Sequence, residues 1–242
     1  MLGPPTFEAA LYGCAIVAVG SALQGAVGFG LALMTAPILV LISPELVPGP
    51  LCLAATFLVA LTAWRDRAGI DVRGVGWSLV GRVPGAAAGA ALLSAVSIEN
   101  ISLIIGAAVL LAVAMSASGA KIRPTRVTLL SAGVVSGAMG TASAIGGPPM
   151  AMVYQHEDGE TLRGTLAGYI LVGSVVTLTA LHLVGKFAVP EVIWGLALMP
   201  GAVVGFAVSA PLARYLDRGR TRAAVLATSA AAGLILLART LL

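Results

Sequence analysis

Residues 127–155 read Val127-TLLSAGVVSGAMGTASAIGGPPMAMVY-Gln155, 29 consecutive positions without a charged side chain. The run is apolar enough for lipid, yet it cannot be one regular helix. Two prolines follow two glycines at Gly146-Gly147-Pro148-Pro149, and proline lacks an amide donor and clashes with the carbonyl of residue i−4. A helix interrupted at membrane depth frees backbone groups that lipid cannot satisfy, so such a break is tolerated only when buried in protein or lining a wet cavity. The stretch therefore predicts a broken transmembrane helix with a binding site at the break.

Composition sets the same class. Of 242 residues, 59% are hydrophobic and 10% charged, with mean hydropathy +1.02, whereas soluble domains carry roughly 25% charge. An all-α integral membrane protein follows. The longest charge-rich stretch, Ala213 to Arg222, is ten residues and leaves no room for a soluble domain. Thirty glycines with only 5% aromatics favour close helix–helix contact. The net charge of +4 reads as a topology signal, with no nucleic-acid partner implied. Cys14 and Cys52 lie in apolar runs without a CxxC or a nearby histidine, and read as small buried hydrophobes; no disulfide, metal or cofactor is expected. No GxxxxGK[ST] sequence is present, so no use of ATP is expected. The N-terminus lacks the basic region of a cleaved signal peptide, and the first helix is expected to stay.

Outward from the quoted stretch, the chain holds a second interrupted run. Ala9 to Ile42 is 34 residues without charge, about 51 Å as a helix at ~1.5 Å per residue, against a hydrocarbon core of about 30 Å. Gly25, Gly28 and Gly30 split it into a hairpin of two short helices. Single spans follow near 48–64, 74–97 and 99–119, and after the 127–155 stretch near 164–184, 190–213 and 222–241. Pro84-Gly-Ala-Ala-Ala-Gly89 aligns with Pro200-Gly-Ala-Val-Val-Gly205 at an offset of 116, which also carries Gly30 onto Gly146 and Met34 onto Met150. Residues 1–120 and 121–242 are thus expected to be two repeats of one membrane domain, each a broken hairpin followed by three helices.

Charge orients them. Arg65, Arg67 and Arg73, then Lys121, Arg123 and Arg126, then Arg214, Arg218, Arg220 and Arg222 form three basic loops, cytoplasmic by the positive-inside tendency. The 127–155 stretch must then cross an even number of times, and both termini fall on the non-cytoplasmic side of the cell membrane. The loop at 65–73 corresponds to 181–189, which this topology puts outside, so the repeats are inverted. Inverted repeats with broken helices are a recurring plan of secondary transporters, with the site where the breaks meet.

The two broken stretches, Gln24-Gly-Ala-Val-Gly-Phe-Gly30 and Gly137-Ala-Met-Gly-Thr-Ala-Ser-Ala-Ile-Gly-Gly-Pro-Pro149, with the duplicated layout over nearly the whole chain, resemble the TauE/SafE family of sulfite exporters and related organic-anion permeases. The resemblance implies transport of sulfite, thiosulfate, sulfoacetate or a comparable small anion, without saying which. The residues agree with a small anion. Backbone amides near Gly28, Gly30, Gly146 and Gly147, with Pro148 ending the break, could converge on an oxyanion. Gln24 could donate from mid-helix. Thr141 and Ser143 could add hydroxyls, or bond back to their own helix. Arg82 is the only charge well inside a predicted span, and could meet an anion or snorkel to the surface. Gly81, Gly85 and Gly89 read as a packing face, and His156 and His182 as loop or interface residues.

No carboxylate is expected near the midplane. A secondary anion transporter, which could assemble as a homo-oligomer, is the leading reading. A permease or assembly subunit needing a partner protein is the alternative, and a membrane-embedded enzyme, which would need a nucleophile–base pair or metal ligands at depth, comes last.

Overall fold

A computed structural model describes residues 6–27, 30–120, 122–215 and 218–241. Those residues form ten helices and no strand: α1 Phe7–Val27, α2 Leu31–Ile42, α3 Gly49–Arg65, α4 Val72–Ala95, α5 Ile98–Ala117, α6 Arg126–Ser143, α7 Gly147–Tyr154, α8 Gly159–Leu183, α9 Val189–Tyr215 and α10 Arg218–Leu241. Six of them (α1, α4, α5, α8, α9 and α10) are long and apolar enough to cross a membrane. The chain is a multi-pass membrane protein.

Both predicted breaks are present. α1 and α2 are separated near residues 28–30, and α6 and α7 at residues 144–146. Each pair folds back on itself. Gly20 on α1 faces Thr35 and Leu31 on α2, while Gly13, two turns earlier, faces Leu39. Pro149, Met152 and Val153 of α7 lie beside Val127, Thr128 and Ser131 at the start of α6. The second stretch thus leaves on the face it entered, as the even crossing number requires. One detail differs from expectation: α1, at 21 residues, is not short, because the helix runs on through Gln24 and Gly25 to Val27.

Helix packing is set by glycine. The most extensive pairs are α4 with α6 and α1 with α9. A Cβ at Gly81, Gly85 or Gly89 would run into the carbonyl oxygen of Leu130, Val134 or Ala138, and one at Gly133 or Gly137 into that of Ser78 or Arg82. Across the other pair, Gly201 and Gly205 meet the carbonyls of Cys14 and Ala18 in the same way. The pairing scheme recurs with the halves exchanged, but with a slip: Leu130 and Cys14 differ by 116, whereas Gly81 and Gly201 differ by 120. The PGxxxG motifs that align in sequence therefore sit one helical turn apart in the packing.

Arg65, Arg163 and Arg222 lie on one face. Arg163 on α8 and Arg65 at the end of α3 both bind Asp66, at 2.9 and 3.1 Å. Tyr154 donates to Asp71 at 2.7 Å, and Gln155 donates to the Ala120 carbonyl, tying the end of α7 to the 65–73 and 120–126 connections. Arg222 reaches the carbonyl of Ser116 on the same face. Glu45, Lys186 and Glu191 gather around a separate cavity at the other end, near Gly49 and Ile101. Burial opposes ionisation of Asp66, yet the hydrogen bonds and charges of Arg65 and Arg163 prevail and hold its carboxyl below the ordinary range.

Three substitutions test the packing and the ion pairs. Gly85→Ala should lower the thermal midpoint in detergent, at a cost of about 1–3 kcal/mol from overpacking. Gly76→Ala, where a Cβ meets nothing within 4 Å, should leave it unchanged or raised, by up to ~1 kcal/mol of helix propensity. Because its folded pKa is depressed, Asp66 stabilises above its unfolded pKa of ~3.9 and loses that contribution as pH falls through the folded value. Asp66→Asn should therefore destabilise at neutral pH, and the difference from wild type should close on acidification below about pH 4; a gap that stays constant would remove the ion pairs from the account.

Candidate functional site

The breaks meet at a partly open cavity of about 60 Å³, room for about four waters or one small oxyanion. Gln24, Gly30, Leu31 and Leu33 line it from the first hairpin; Gly140, Ala144, Ile145, Gly146, Gly147 and Pro148 line it from the second. Cys52, Ala55 and Val59 of α3 and Leu166, Ile170, Ser174 and Thr177 of α8 close the sides, and Arg82 of α4 completes the wall.

Each break is held by a different device. At the first, Gly30 has φ 121°, which favours glycine, and the Gln24 side chain accepts a hydrogen bond from Leu31 N at 3.0 Å. That bond satisfies one of the three amides that begin α2; those of Ala32 and Leu33, on the cavity wall, have no acceptor within the helix. At the second, Ala144 adopts φ 64° to end α6. Ser143 donates to Met139 O at 2.7 Å and accepts from Ile145 N at 3.4 Å. Ser136 donates to the Gly146 carbonyl and so stitches the far side of the turn to α6. Because Pro148 and Pro149 carry no amide hydrogen, α7 begins with fewer donors than an ordinary helix, leaving Gly147 as the amide of its first three residues.

Arg82 is 3% exposed. It lies ten residues into α4, about 15 Å from the start of the helix, and its side chain does not snorkel. Nε donates to Gly173 O at 3.0 Å, Nη2 to Thr177 Oγ1 at 3.0 Å and Nη1 to Ser136 Oγ at 3.4 Å. The guanidinium lies over the Tyr169 ring, 4.9 Å from its centroid. A Cβ at Gly173 would collide with it, so that glycine is the seat of the group. Among the described residues, the buried charged side chains are Asp66, paired with two arginines, and Arg82, which has no ion pair. An isolated buried charge is costly unless compensated, and Arg82 faces a cavity that an anion could enter.

Of the residues singled out from sequence, Gln24, Gly30, Arg82, Gly146, Gly147 and Pro148 share this cavity. Three do not line it. Gly25 packs against Ser209, and its carbonyl accepts from Arg65 at 3.3 Å. Ser143 is spent on its own helix, the back-bonding alternative. Thr141 is buried and donates to Thr177 Oγ1 at 3.3 Å, one step behind Arg82. Gly28 lies outside the described residues. Sequence reasoning missed Ser136, Gly173 and Thr177, which hold the guanidinium, and Cys52, whose thiol faces the cavity and lies 3.9 Å from Gly140 O. Nothing in their local pattern separates them from other small residues of apolar helices, although Ser136 sits within the decisive stretch.

The family model described as "Sulfite exporter TauE/SafE" matches residues 12–236. No curated protein and no solved structure matches the chain. The matched span takes in both breaks and every helix that lines the cavity. The chain belongs to the sulfite exporter TauE/SafE family, a family of membrane permeases for sulfite and related small anions.

Proposed function

We propose that the chain is a secondary transporter for a small sulfur oxyanion or organosulfonate, sulfite first, that works by alternating access around the paired breaks. The observation that carries this reading is the junction itself: two broken helices from opposite halves of the chain converge on one cavity, where, among the described residues, Arg82 is the only charged side chain and has no ion pair. Gln24, Gly30, Gly146, Gly147, Pro148 and Arg82 are its binding surface. Thr141 and Ser136 act behind it, by holding Thr177 and the Gly146 carbonyl. Family membership supplies the substrate class.

The two halves, 1–120 and 121–242, act as inverted repeats, with both termini outside and the Arg65, Arg123, Arg163 and Arg222 face in the cytoplasm of a cell whose plasma membrane houses the carrier. The recurrence of the α4–α6 packing as α9–α1 supports this, as does the gathering of basic residues on one face. The chain performs no covalent chemistry in this reading. A cavity lined by hydroxyls, amides and one guanidinium is suited to holding an anion and releasing it.

Gly147 gives the sharpest test. A Cβ there meets nothing within 4 Å, yet the residue lines the cavity. Gly147→Leu should fill the site while leaving the fold intact. In proteoliposomes, wild type should take up labelled sulfite saturably, and the variant, with an unchanged thermal midpoint, should lose at least about tenfold in rate, or ~1.4 kcal/mol. Equal rates in the two proteins would move the site elsewhere.

A further inference from the structure

We infer that the cavity takes anions of a single negative charge and turns away dianions of the same shape. The inference rests on the anion reading above and concerns what charge the site can neutralise.

The charge around the cavity sums to one. Arg82 contributes +1, and no other described charged side chain lines the wall. A helix N-terminus carries about half a positive charge and a C-terminus about half a negative one. A lone broken helix that aimed only its N-terminus at the cavity would add to the arginine. Here each break presents both signs together. α1 ends at Val27 where α2 starts at Leu31, and α6 ends at Ser143 where α7 starts at Gly147. The opposed dipoles cancel to first order at each junction. Donor capacity points the same way. Gln24 occupies the Leu31 amide, and Pro148 and Pro149 remove two donors from the start of α7.

The guanidinium itself is partly committed. Of its five N–H groups, three bind Gly173, Thr177 and Ser136, leaving one on each terminal nitrogen without an acceptor among the described residues. Two donors suit two oxygens of one anionic group. A second negative charge would stay uncompensated in a buried site, which is strongly unfavourable.

No protein group near Arg82 is suited to adjust the balance. The elements packed against it are α6, which offers Ser136 and glycines, α8, which offers Gly173, Thr177 and the Tyr169 phenol, and α3 across the cavity, which offers the Cys52 thiol. Phenols and thiols in their ordinary form are uncharged at neutral pH. Any pH dependence of uptake near neutrality therefore belongs to the substrate. Sulfite loses its second proton near neutral pH, so the transported species is the hydrogen sulfite monoanion. Thiosulfate and sulfoacetate, both dianions at neutral pH, are excluded as principal cargo.

The test uses the wild-type chain in proteoliposomes, with protein-free vesicles subtracting permeation of the neutral acid. Initial uptake of labelled sulfite is measured one pH unit below and one above neutrality, with methanesulfonate or sulfate as competitor. These two share a tetrahedral shape and differ by one charge. Methanesulfonate should compete equally at both pH values and sulfate at least about tenfold less well, while subsaturating sulfite uptake should fall about tenfold as its singly charged fraction does. Competition by sulfate equal to that by methanesulfonate, or uptake that rises with pH, would overturn the charge rule while leaving an anion site in place. If no anion moves or competes, the anion reading fails first, and this inference with it.

Discussion

Backbone contact between α4 and α6 is the constraint on which the site depends. Glycines on both helices let the two backbones touch at the crossing, so Gly133 and Gly137 lie against the main chain around Arg82 while Gly81, Gly85 and Gly89 lie against α6. Such proximity leaves the arginine no route along its own helix surface. Its side chain is directed across the interface toward α8, where the missing Cβ of Gly173 leaves the needed space. In lipid, where apolar burial gives helices little reason to prefer one another, small residues supply the association through close packing. The same contact thus assembles the bundle and places the buried guanidinium of Arg82.

The second hairpin is organised by that placement. Ser136 receives Arg82 on one side and holds the Gly146 carbonyl on the other, so a single hydroxyl links the charge to the break. The first hairpin has no such link. Its turn is held by Gln24 on Leu31, and its tip is anchored by Arg65 on the Gly25 carbonyl. The residue at the position of Arg82 in the other half is Leu198 by the 116-residue register, fully buried against Gly13. Two halves built on similar helix pairings therefore differ in chemistry, and polarity at the junction comes mainly from one side.

Much of this was readable in the chain because the signals were backbone signals. Gly-Gly-Pro-Pro cannot continue a helix that comes before it and can only begin a new one, as α7 does at Gly147, and a charge-free run too long for the bilayer must turn. The parity of crossings followed from basic loops alone. Less legible was anything decided by a side chain's partner. Ser143 and Ser136 are the same residue type about two turns apart on α6, with different roles: one bonds back to its own turn, the other joins Arg82 to Gly146. Only the crossing geometry tells them apart. The one-turn slip between Gly85 and Gly201 was equally hidden, since a PGxxxG motif specifies a smooth face and not the height at which a neighbour docks. Arg82 had two readings from sequence, and the glycine at position 173, remote in the chain, decides between them.

That last dependence constrains how such a site can arise or be transplanted. Position 173 must already lack a side chain before an arginine at 82 can be accommodated, since the reverse order drives a guanidinium into a methyl group. The two positions are 91 residues apart and belong to different helices, yet they form one unit of inheritance. A designer moving this charge into another bundle would have to carry the vacancy with it, and would have to carry the vacancy first.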